Sequence, residues 1–515
     1  MALGQTLSVV LTGLEARVVT VEADIGTGLP TMAWTGLPDT AVRQSEKRIR
    51  SAVGSSREPW PQHRITVGLS PASVPKSGSG FDLAIAVAVL AGSGAIEPAS
   101  VRAVVMIGEL GLDGRVHSVP GVLPAVIGAA RRGCPTVVVP RANAGEAMLV
   151  PGVDVIAVGS LAELCARLRG EPVEVEDLPL AAPGVAEAPP DLCDVVGQDE
   201  ARRAMEIAAA GGHHVLLTGP PGVGKTMLAE RLPGLLPDLL PDEALEVTAI
   251  HSLLGRLPVG RPLITRPPFC APHHSASVAS LVGGGSGIPG PGTISLAHRG
   301  VLFIDEATEF AQRALDALRQ PIESGTITIS RSGAAATYPS RFQLVLAANP
   351  CPCAKGGRST DPSNCVCTSV QLRAYQNRLS GPLLDRIDLR ARLAPISRAI
   401  LTAGASGEPS EVVRERVAVA RERAARRLRA TPWTTNAQVP GPVLRRRWPL
   451  PAEALGSLTL DVDRQKLSTR GIDRVLKVAW TVADLAGRDL PNLDDVETAR
   501  SLRFGSEPAR LVRSA

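Results

Sequence analysis

"VLLTGPPGVGKTMLAERL", Val215 to Leu232, decides the fold. An apolar strand leads into Gly219-x-x-x-x-Gly224-Lys225-Thr226, and a helical pattern follows. Glycines let backbone N–H groups curl around phosphate oxygens, and the helix N-terminus adds partial positive charge. Gly219, Pro220, Pro221, Gly222, Val223 and Gly224 are the expected cradle. Lys225 is placed to reach the β- and γ-phosphates of ATP, and the Thr226 hydroxyl to ligate Mg²⁺. The plain alternative is a glycine-rich turn with no ligand. The strand-loop-helix context argues against it.

Downstream, "GVLFIDEATEF" supplies a complementary element: four apolar residues, Val301 to Ile304, end in Asp305-Glu306. Asp305 is expected to hold the Mg²⁺ shell and Glu306 to orient and polarise the attacking water. Such a run alone often merely ends a strand; its placement after a phosphate loop gives it meaning. Asn349 ends the next apolar strand, "FQLVLAAN", where an amide would sit beside the γ-phosphate. A turn-forming asparagine is the bland alternative. "LSGPLLDRIDL" places Arg386 beyond it, and "LSTRGIDRVLKVAWTVADLAG" places Arg470 at a helix start. A neighbouring subunit's arginine accelerates related NTPases by ~10³–10⁵. Arg386 is read as that finger and Arg470 as a sensor within the same chain, with Arg378 and Arg474 as respective competitors. A surface salt bridge is the alternative for each.

Around this centre the chain divides into four parts. Residues 1–170 read as a mixed α/β domain: "ARVVTVEADI", "RITVGLS", "PTVVVP" and "VDVIAV" as strands, "DLAIAVAVLAGSG" as a buried helix closing on glycine, and "VLPAVIGAARRG" as another helix. Residues 171–193 contain "EPVEVEDLPLAAPGVAEAPPD", proline-rich and acidic without periodicity, hence a linker. In residues 194–396 strands alternate with helices, which predicts a parallel sheet. Residues 397–515 are expected to be helical, with Val413, Val417, Ala420, Ala424 and Leu428 at helical spacing.

Composition sets further bounds. The net charge is +5, which permits an anionic partner without demanding one. Aromatics are only 3%, so a nucleic-acid site would rest on phosphate contacts rather than stacking. Only six of the 55 basic residues are lysines, which reads as genome composition rather than function. No signal peptide is evident, and the longest apolar run, Leu83 to Ala91, falls short of the ~20 residues a bilayer span needs. The expectation is a cytoplasmic protein, not membrane-bound, with reduced or metal-bound cysteines.

Four of the eight cysteines fall between Cys351 and Cys367, in two Cys-x-Cys pairs. An even spread would put about a quarter of one there, so a metal is favoured over chance. Cys351, Cys353, Cys365 and Cys367 suit structural, tetrahedral Zn²⁺. Cys-x-Cys is less usual than Cys-x-x-Cys, and an iron–sulfur cluster, free thiols or a thiol switch stay open.

"RPPFCAPHHSASVASLVGGGSGIPGPGTISLAHRGVLFIDE", "AANPCPC" and "GPLLDRIDL" together resemble the magnesium-chelatase-like AAA+ ATPases of the YifB/ComM type, over essentially the whole chain. The resemblance implies an AAA+ core with a C-terminal helical lid. It makes Asn349 the sensor-1 residue, the segment between phosphate loop and acidic pair a helix-2 insert, and Glu323 to Phe342 a presensor hairpin. In helicases of this clade both project into a hexamer's channel, which implies a ring-shaped DNA motor. ComM-type proteins are associated with branch migration during uptake and recombination of foreign DNA. The first domain resembles the Lon-protease fold through "VPKSGSGFDLAIAVAVLAG" and "GELGLDGRVHSVPGVLPAVIGAARRGCPTVVVP". On that pattern the serine position falls at Gly80 and the lysine position at Leu123, so the dyad is missing. Ser79 and Lys76 lie nearby but on one loop, and proteolysis is not expected. Arg331 on the hairpin, His273 and His274 in the insert, and the arginine-rich helix "EVVRERVAVARERAARRLRA" are the candidate DNA contacts; a solvated lid face is the alternative for that helix.

The expectation is an ATP- and Mg²⁺-dependent homohexameric motor on single-stranded or branched DNA. A magnesium-chelatase-type motor subunit is one rival, disfavoured by the Lon-like domain and the cysteines. A nucleotide-switched DNA-binding scaffold is the other.

Overall fold

A computed structural model describes residues 3–76, 78–173, 189–258, 260–285, 288–331, 334–353, 365–396, 407–463 and 467–505. Most of the proline-rich acidic stretch and the segment between the two cysteine pairs lie outside these residues, as does the start of the expected lid at 397–406.

The N-terminal part is built on a seven-stranded mixed sheet. Its strands are β1 (Leu3–Thr12), β2 (Glu15–Gly26), β3 (Met32–Thr35), β4 (Arg64–Ser70), β5 (Val104–Met106), β6 (Thr136–Pro140) and β7 (Asp154–Val158), in the order β3-β4-β2-β1-β5-β6-β7. Alternating apolar residues make β1 and β2 an antiparallel hairpin in register from Leu3↔Asp24 to Thr12↔Glu15. Helix α1 (Thr40–Ser55) is capped by Asp39, whose carboxylate accepts from the Val42 N–H at 2.8 Å. Helix α2 (Asp82–Gly92) is apolar all round after its first residue and buried at every position, with Asp82 paired to Arg48 at 2.9 Å. It lies so close on β1 that a Cβ on Gly4 would fall 1.9 Å from the Ala88 carbonyl oxygen. At the two positions where a Lon-type dyad would sit, Gly80 occupies a short 3₁₀ turn and Leu123 is buried in helix α3 (Val122–Arg131). The neighbouring Lys76 is buried with its ammonium on the Pro71 carbonyl, and the Ser79 hydroxyl donates to Glu109. Neither nearby residue recreates a serine–lysine pair.

The central part is a five-stranded parallel sheet. Strands β8 (Val215–Thr218), β9 (Phe269–Cys270), β10 (Val301–Ile304), β11 (Gln343–Ala348) and β12 (Leu389–Arg392) run in the order β9-β10-β11-β8-β12. The register Val215↔Val345 and Phe303↔Val345 brings the C-terminal ends of β8, β10 and β11 side by side. These strands are nearly all buried because helices cover both faces, which is why they read as short continuous apolar runs. Helices α4 (Asp199–Gly211) and α5 (Lys225–Leu235) flank the sheet, and α6 (Pro241–Leu253) joins it to the N-terminal part. At that joint the Gly121 N–H donates to the Ser252 carbonyl at 2.9 Å, while buried Glu146 accepts from Ser252 and from Asn143.

The expected hairpin forms from Thr326–Arg331 paired antiparallel with Ala334–Pro339. A two-residue ladder, Gly283–Gly284 with Gly290–Pro291, packs beside it. The Tyr338 hydroxyl donates to the Pro289 carbonyl at 2.7 Å, and Leu281, Ile327, Ile329 and Tyr338 share one buried cluster. Insert and hairpin are therefore one packed unit.

The C-terminal part is helical, with α7 (Ser410–Leu428), α8 (Thr469–Leu485) and α9 (Leu493–Phe504) as its main elements. Val413, Val417, Ala420, Ala424 and Leu428 are the buried stripe of α7, as their spacing predicts. The opposite face is not a free basic surface. Arg416 binds Glu206 and Glu408, Arg421 binds the Ala209 carbonyl, Arg423 binds Asp489, and Arg427 binds Asp484 while lying 4.3 Å over the Trp480 ring. These arginines hold the helical part together, which favours the lid-face reading of α7. Among the described residues no helix is long and apolar enough to cross a membrane.

Candidate functional site

The loop between β8 and α5 turns through left-handed backbone at Gly222 (φ +81°) and Gly224 (φ +93°), conformations that glycine adopts without a Cβ penalty. Lys225 opens α5 and folds back over the loop. Its ammonium donates to the Gly219 carbonyl at 2.7 Å, the Pro220 carbonyl at 3.0 Å and Asn349 Oδ1 at 2.9 Å. Burial lowers the Lys225 pKa, while the carboxylates of Asp305 and Glu306 act the other way. Thr226 Oγ1 donates to Asp305 Oδ2 at 2.8 Å, and Asp305 Oδ1 accepts from the Glu306 N–H at 2.8 Å. Parallel pairing of β8, β10 and β11 brings these residues together from positions over a hundred apart. They line, with Pro221, Met227 and Ala348, a cavity of about 370 Å³.

The donor set fits Mg²⁺. Adjacent oxygens on an octahedral ion with bonds of 2.0–2.1 Å lie about 2.9 Å apart. The Thr226 and Asp305 oxygens already have nearly that separation. Glu306 carries a left-handed backbone (φ +47°), uncommon for a residue with a Cβ, and its side chain is half exposed. Such backbone persists where the surroundings enforce it, and it concentrates at functional sites. Glu306 lines the same cavity as Lys225, Thr226 and Asp305.

The arginines separate by environment. Arg386 is nearly buried, with Nη1 on the Pro382 carbonyl at 2.6 Å and Nη2 on Glu323, and it does not line the cavity. Arg470 is three-quarters exposed, 3.6 Å from Asp385. Its competitor Arg474 is engaged elsewhere, donating to buried Asp388 at 2.8 Å. Arg378 binds the Thr308 carbonyl and Glu309.

Asp388 is the centre of a network that reading the sequence missed. His213 Nδ1 lies 3.2 Å from its carboxylate, and His213 Nε2 lies 2.8 Å from the Thr481 hydroxyl on α8. Burial works to raise the Asp388 pKa, but Arg474 and His213 outweigh it and hold the group well below the usual carboxylate range. Burial pushes neighbouring His214 down to about 4 and Lys477 down to about 8. The network bolts the start of β8 and β12 to α8. Its signal was present as "HHVLL" and "DRIDL", but only the fold joins them.

The four clustered cysteines converge immediately after Asn349. Their Sγ atoms all lie within 4.8 Å of one another, with Cys351 and Cys353 3.3 Å apart and Cys353 and Cys365 3.8 Å apart. Tetrahedral zinc with Zn–S bonds of 2.3 Å requires sulfurs about 3.8 Å apart, so the donor set fits that ion. Cys351 is 2% exposed, seated in the protein rather than on a dangling loop.

Of the candidate DNA contacts, Arg331 is exposed near the hairpin tip. The His273 and His274 rings lie with centroids 4.0 Å apart and planes tilted by 37°, and His274 Nδ1 lies 3.9 Å from Glu306 Oε2. The two histidines are thus beside the acidic pair rather than at the tip.

Comparison with known proteins supplies the family. Residues 191–401 match "Magnesium chelatase, subunit ChlI", residues 21–143 match "Subunit ChlI of Mg-chelatase", and residues 407–503 match "Magnesium chelatase, subunit ChlI C-terminal". An uncharacterised protein of Mycobacterium tuberculosis is 52% identical over 503 residues, covering 98% of this chain and 99% of its own length. The uncharacterised protein YifB of Escherichia coli is 43% identical over 493 residues, 95% of each chain. The competence protein ComM of Haemophilus influenzae is 41% identical over 484 residues, 92% of each chain. With full-length relatives at this identity around an AAA+ sheet and phosphate loop, the chain belongs to the YifB/ComM-type, magnesium-chelatase-like AAA+ proteins.

Proposed function

We propose that this protein is an ATP-hydrolysing motor that acts on DNA as a homohexamer, of the helicase or branch-migration type. The observation that carries the ATPase reading is the convergence of Lys225, Thr226, Asp305, Glu306 and Asn349 on one cavity. In the proposed cycle the loop N–H groups bind the phosphates and Lys225 exchanges its carbonyl contacts for β- and γ-phosphate oxygens. Thr226 and Asp305 hold Mg²⁺, which when bound neutralises charge developing on the phosphates. Glu306 orients the attacking water and Asn349 fixes its position against the γ-phosphate. Arg386 lies away from its own chain's cavity, a position suited to serving a neighbour's, and Arg470 supplies the sensor from the lid. Asn349 also contacts Lys225 directly, which supports its role in the site over that of a mere turn residue.

Two features support DNA as the substrate. The insert and hairpin form one packed unit with Arg331 exposed, and one relative is named a competence protein. Arg331, His273 and His274 are the proposed contacts. The cysteine quartet is proposed as a structural zinc knuckle, since four protein ligands leave no open position for a substrate. The setting is proposed to be cytoplasmic, where thiols stay reduced and available as metal ligands. ATPase assays with single-stranded, duplex and branched DNA test the whole reading. Stimulation by one of these forms is expected, with turnover lost in Glu306→Gln. A rate indifferent to every DNA form, together with no binding at low salt, refutes the DNA assignment.

A further inference from the structure

Glu306 holds left-handed backbone, which a residue with a Cβ keeps only where its surroundings enforce it. Part of that enforcement comes from the turn that follows. Ala307–Glu309 form a single 3₁₀ turn, and the Glu309 N–H donates back to the Glu306 carbonyl at 2.7 Å. Within the turn Thr308 is buried, and its hydroxyl donates to the phenol oxygen of buried Tyr375 at 2.6 Å. Tyr375 lies 67 residues further along the chain. Arg378 follows it and brings Nη1 to the Thr308 carbonyl at 3.1 Å and to Glu309 at 3.2 Å. One segment thus grips the turn by side chain and by backbone. Ala307, Phe310 and Leu379 are buried in one apolar cluster that completes the contact.

The helix carrying Tyr375, Ser369–Gln376, starts where the cysteine segment stops. Cys367 is followed by Thr368, whose hydroxyl accepts from the Gln371 N–H at 3.2 Å, while Gln371 Oε1 accepts from the Thr368 N–H at 2.9 Å. This reciprocal cap fixes the first helical turn directly after Cys367. The first cysteine of the quartet is also near. Burial raises the Tyr375 pKa, the Thr308 hydrogen bond opposes the rise, and Glu309 and Cys351 lie close enough to add to it. Tyr375 therefore stands between the cysteine quartet and the turn that follows Glu306.

We propose that Tyr375 is a positioning residue for hydrolysis: its buried phenol, seated by the cysteine segment, holds Thr308 and through it the backbone that presents Glu306 to the cavity. The proposal rests on the ATPase reading and gives the cysteine segment a part in it. A general base acts only within hydrogen-bond reach of the proton it takes, so a small shift of this turn is felt in the chemical step. Lys225 and Thr226, which bind the nucleotide, are held by other contacts.

The test is steady-state ATPase kinetics of wild type, Tyr375→Phe, Thr308→Val, Thr308→Ser and the double variant Tyr375→Phe/Thr308→Val, with melting curves and metal content for each. Phenylalanine keeps the ring and its packing and removes only the hydroxyl. Tyr375→Phe and Thr308→Val are each expected to lower kcat about tenfold with KM for ATP within about twofold, as loss of an interaction that serves the chemical step should. Thr308→Ser keeps the hydroxyl and a kcat near that of wild type. The double variant is no slower than the slower single variant, because both substitutions remove the same bond. Metal per chain in Tyr375→Phe equals that of wild type, which places the effect at the turn and not at the cysteines. An undiminished kcat in Tyr375→Phe overturns the proposal, as do losses that multiply in the double variant, Thr308→Ser as slow as Thr308→Val, or a loss of metal that accompanies the loss of turnover. If the wild type does not hydrolyse ATP, the ATPase reading fails and the proposal falls with it; if the wild type turns over and Tyr375→Phe is as fast, the proposal alone fails.

Discussion

Substituting Asp388 by asparagine tests the bolt between sheet and lid. The carboxylate is fully buried and meets three partners: Arg474 at 2.8 Å, His213 at 3.2 Å and the His214 N–H at 3.3 Å. Removing its charge leaves Arg474 without a counter-ion in a site where the guanidinium is only about one-fifth exposed. Breaking a buried pair from one side costs about 3–5 kcal/mol, and partial access of water to Arg474 places the expected loss near 3 kcal/mol. Full-length Asp388→Asn, Arg474→Gln and the double variant are compared by urea unfolding, reading the first transition, since a chain of several domains need not unfold in one step. The single variants lose about 3 kcal/mol each, and the double loses well under their sum, because the orphaned charge is gone. The sign with pH follows from the direction of the shift. Asp388 is held below its ordinary pKa, so its contribution is complete above about pH 4 and disappears as pH falls through the depressed value. A loss under about 1 kcal/mol in Asp388→Asn, or strict additivity in the double variant, refutes the reasoning.

Other consequences are open to measurement. Elemental analysis after reductive purification is expected to find about one zinc per chain, with less than ~0.2 contradicting a structural site; Cys351→Ser lowers both zinc content and ATP turnover by loosening the end of β11. Arg331→Ala weakens DNA binding similarly across sequences and reduces the salt slope by about one counterion, as a phosphate contact should. Burial holds His214 near 4, so the neutral ring is favoured in the fold and stability falls as pH drops from about 6.5 towards 4. His214→Gln, which can still accept from the Leu344 N–H, flattens that part of the pH–stability curve.

The parts of this molecule legible in its sequence are those whose chemistry is local. A phosphate loop is specified by its own eight residues, and the apolar runs before Asp305 and Asn349 announce buried parallel strands because both faces of such a sheet are covered. The stripe on α7 is equally local. The same helix shows where sequence reading stops. Its six arginines look like a basic face, yet their partners, such as Glu206, Ala209 and Asp484, come from elements far along the chain. Asp388 and His213 were invisible for the same reason, being 175 residues apart. His274 was read as a DNA contact from its place in the insert. That β9 lies beside β10, bringing this loop to Glu306, is a property of sheet order and cannot be read from spacing. Gly80 and Leu123 were informative in the opposite way, because a missing nucleophile and base are visible in the residues themselves.

The central claim, DNA-driven ATP hydrolysis at this cavity, is tested most directly by one measurement: ATP turnover by purified protein at low salt, titrated with branched DNA, for wild type and Glu306→Gln. The account predicts turnover that rises with DNA in the wild type and is absent in Glu306→Gln, which still binds ATP through Lys225 and Thr226. Turnover that persists in Glu306→Gln, or that stays flat across the titration, would contradict it.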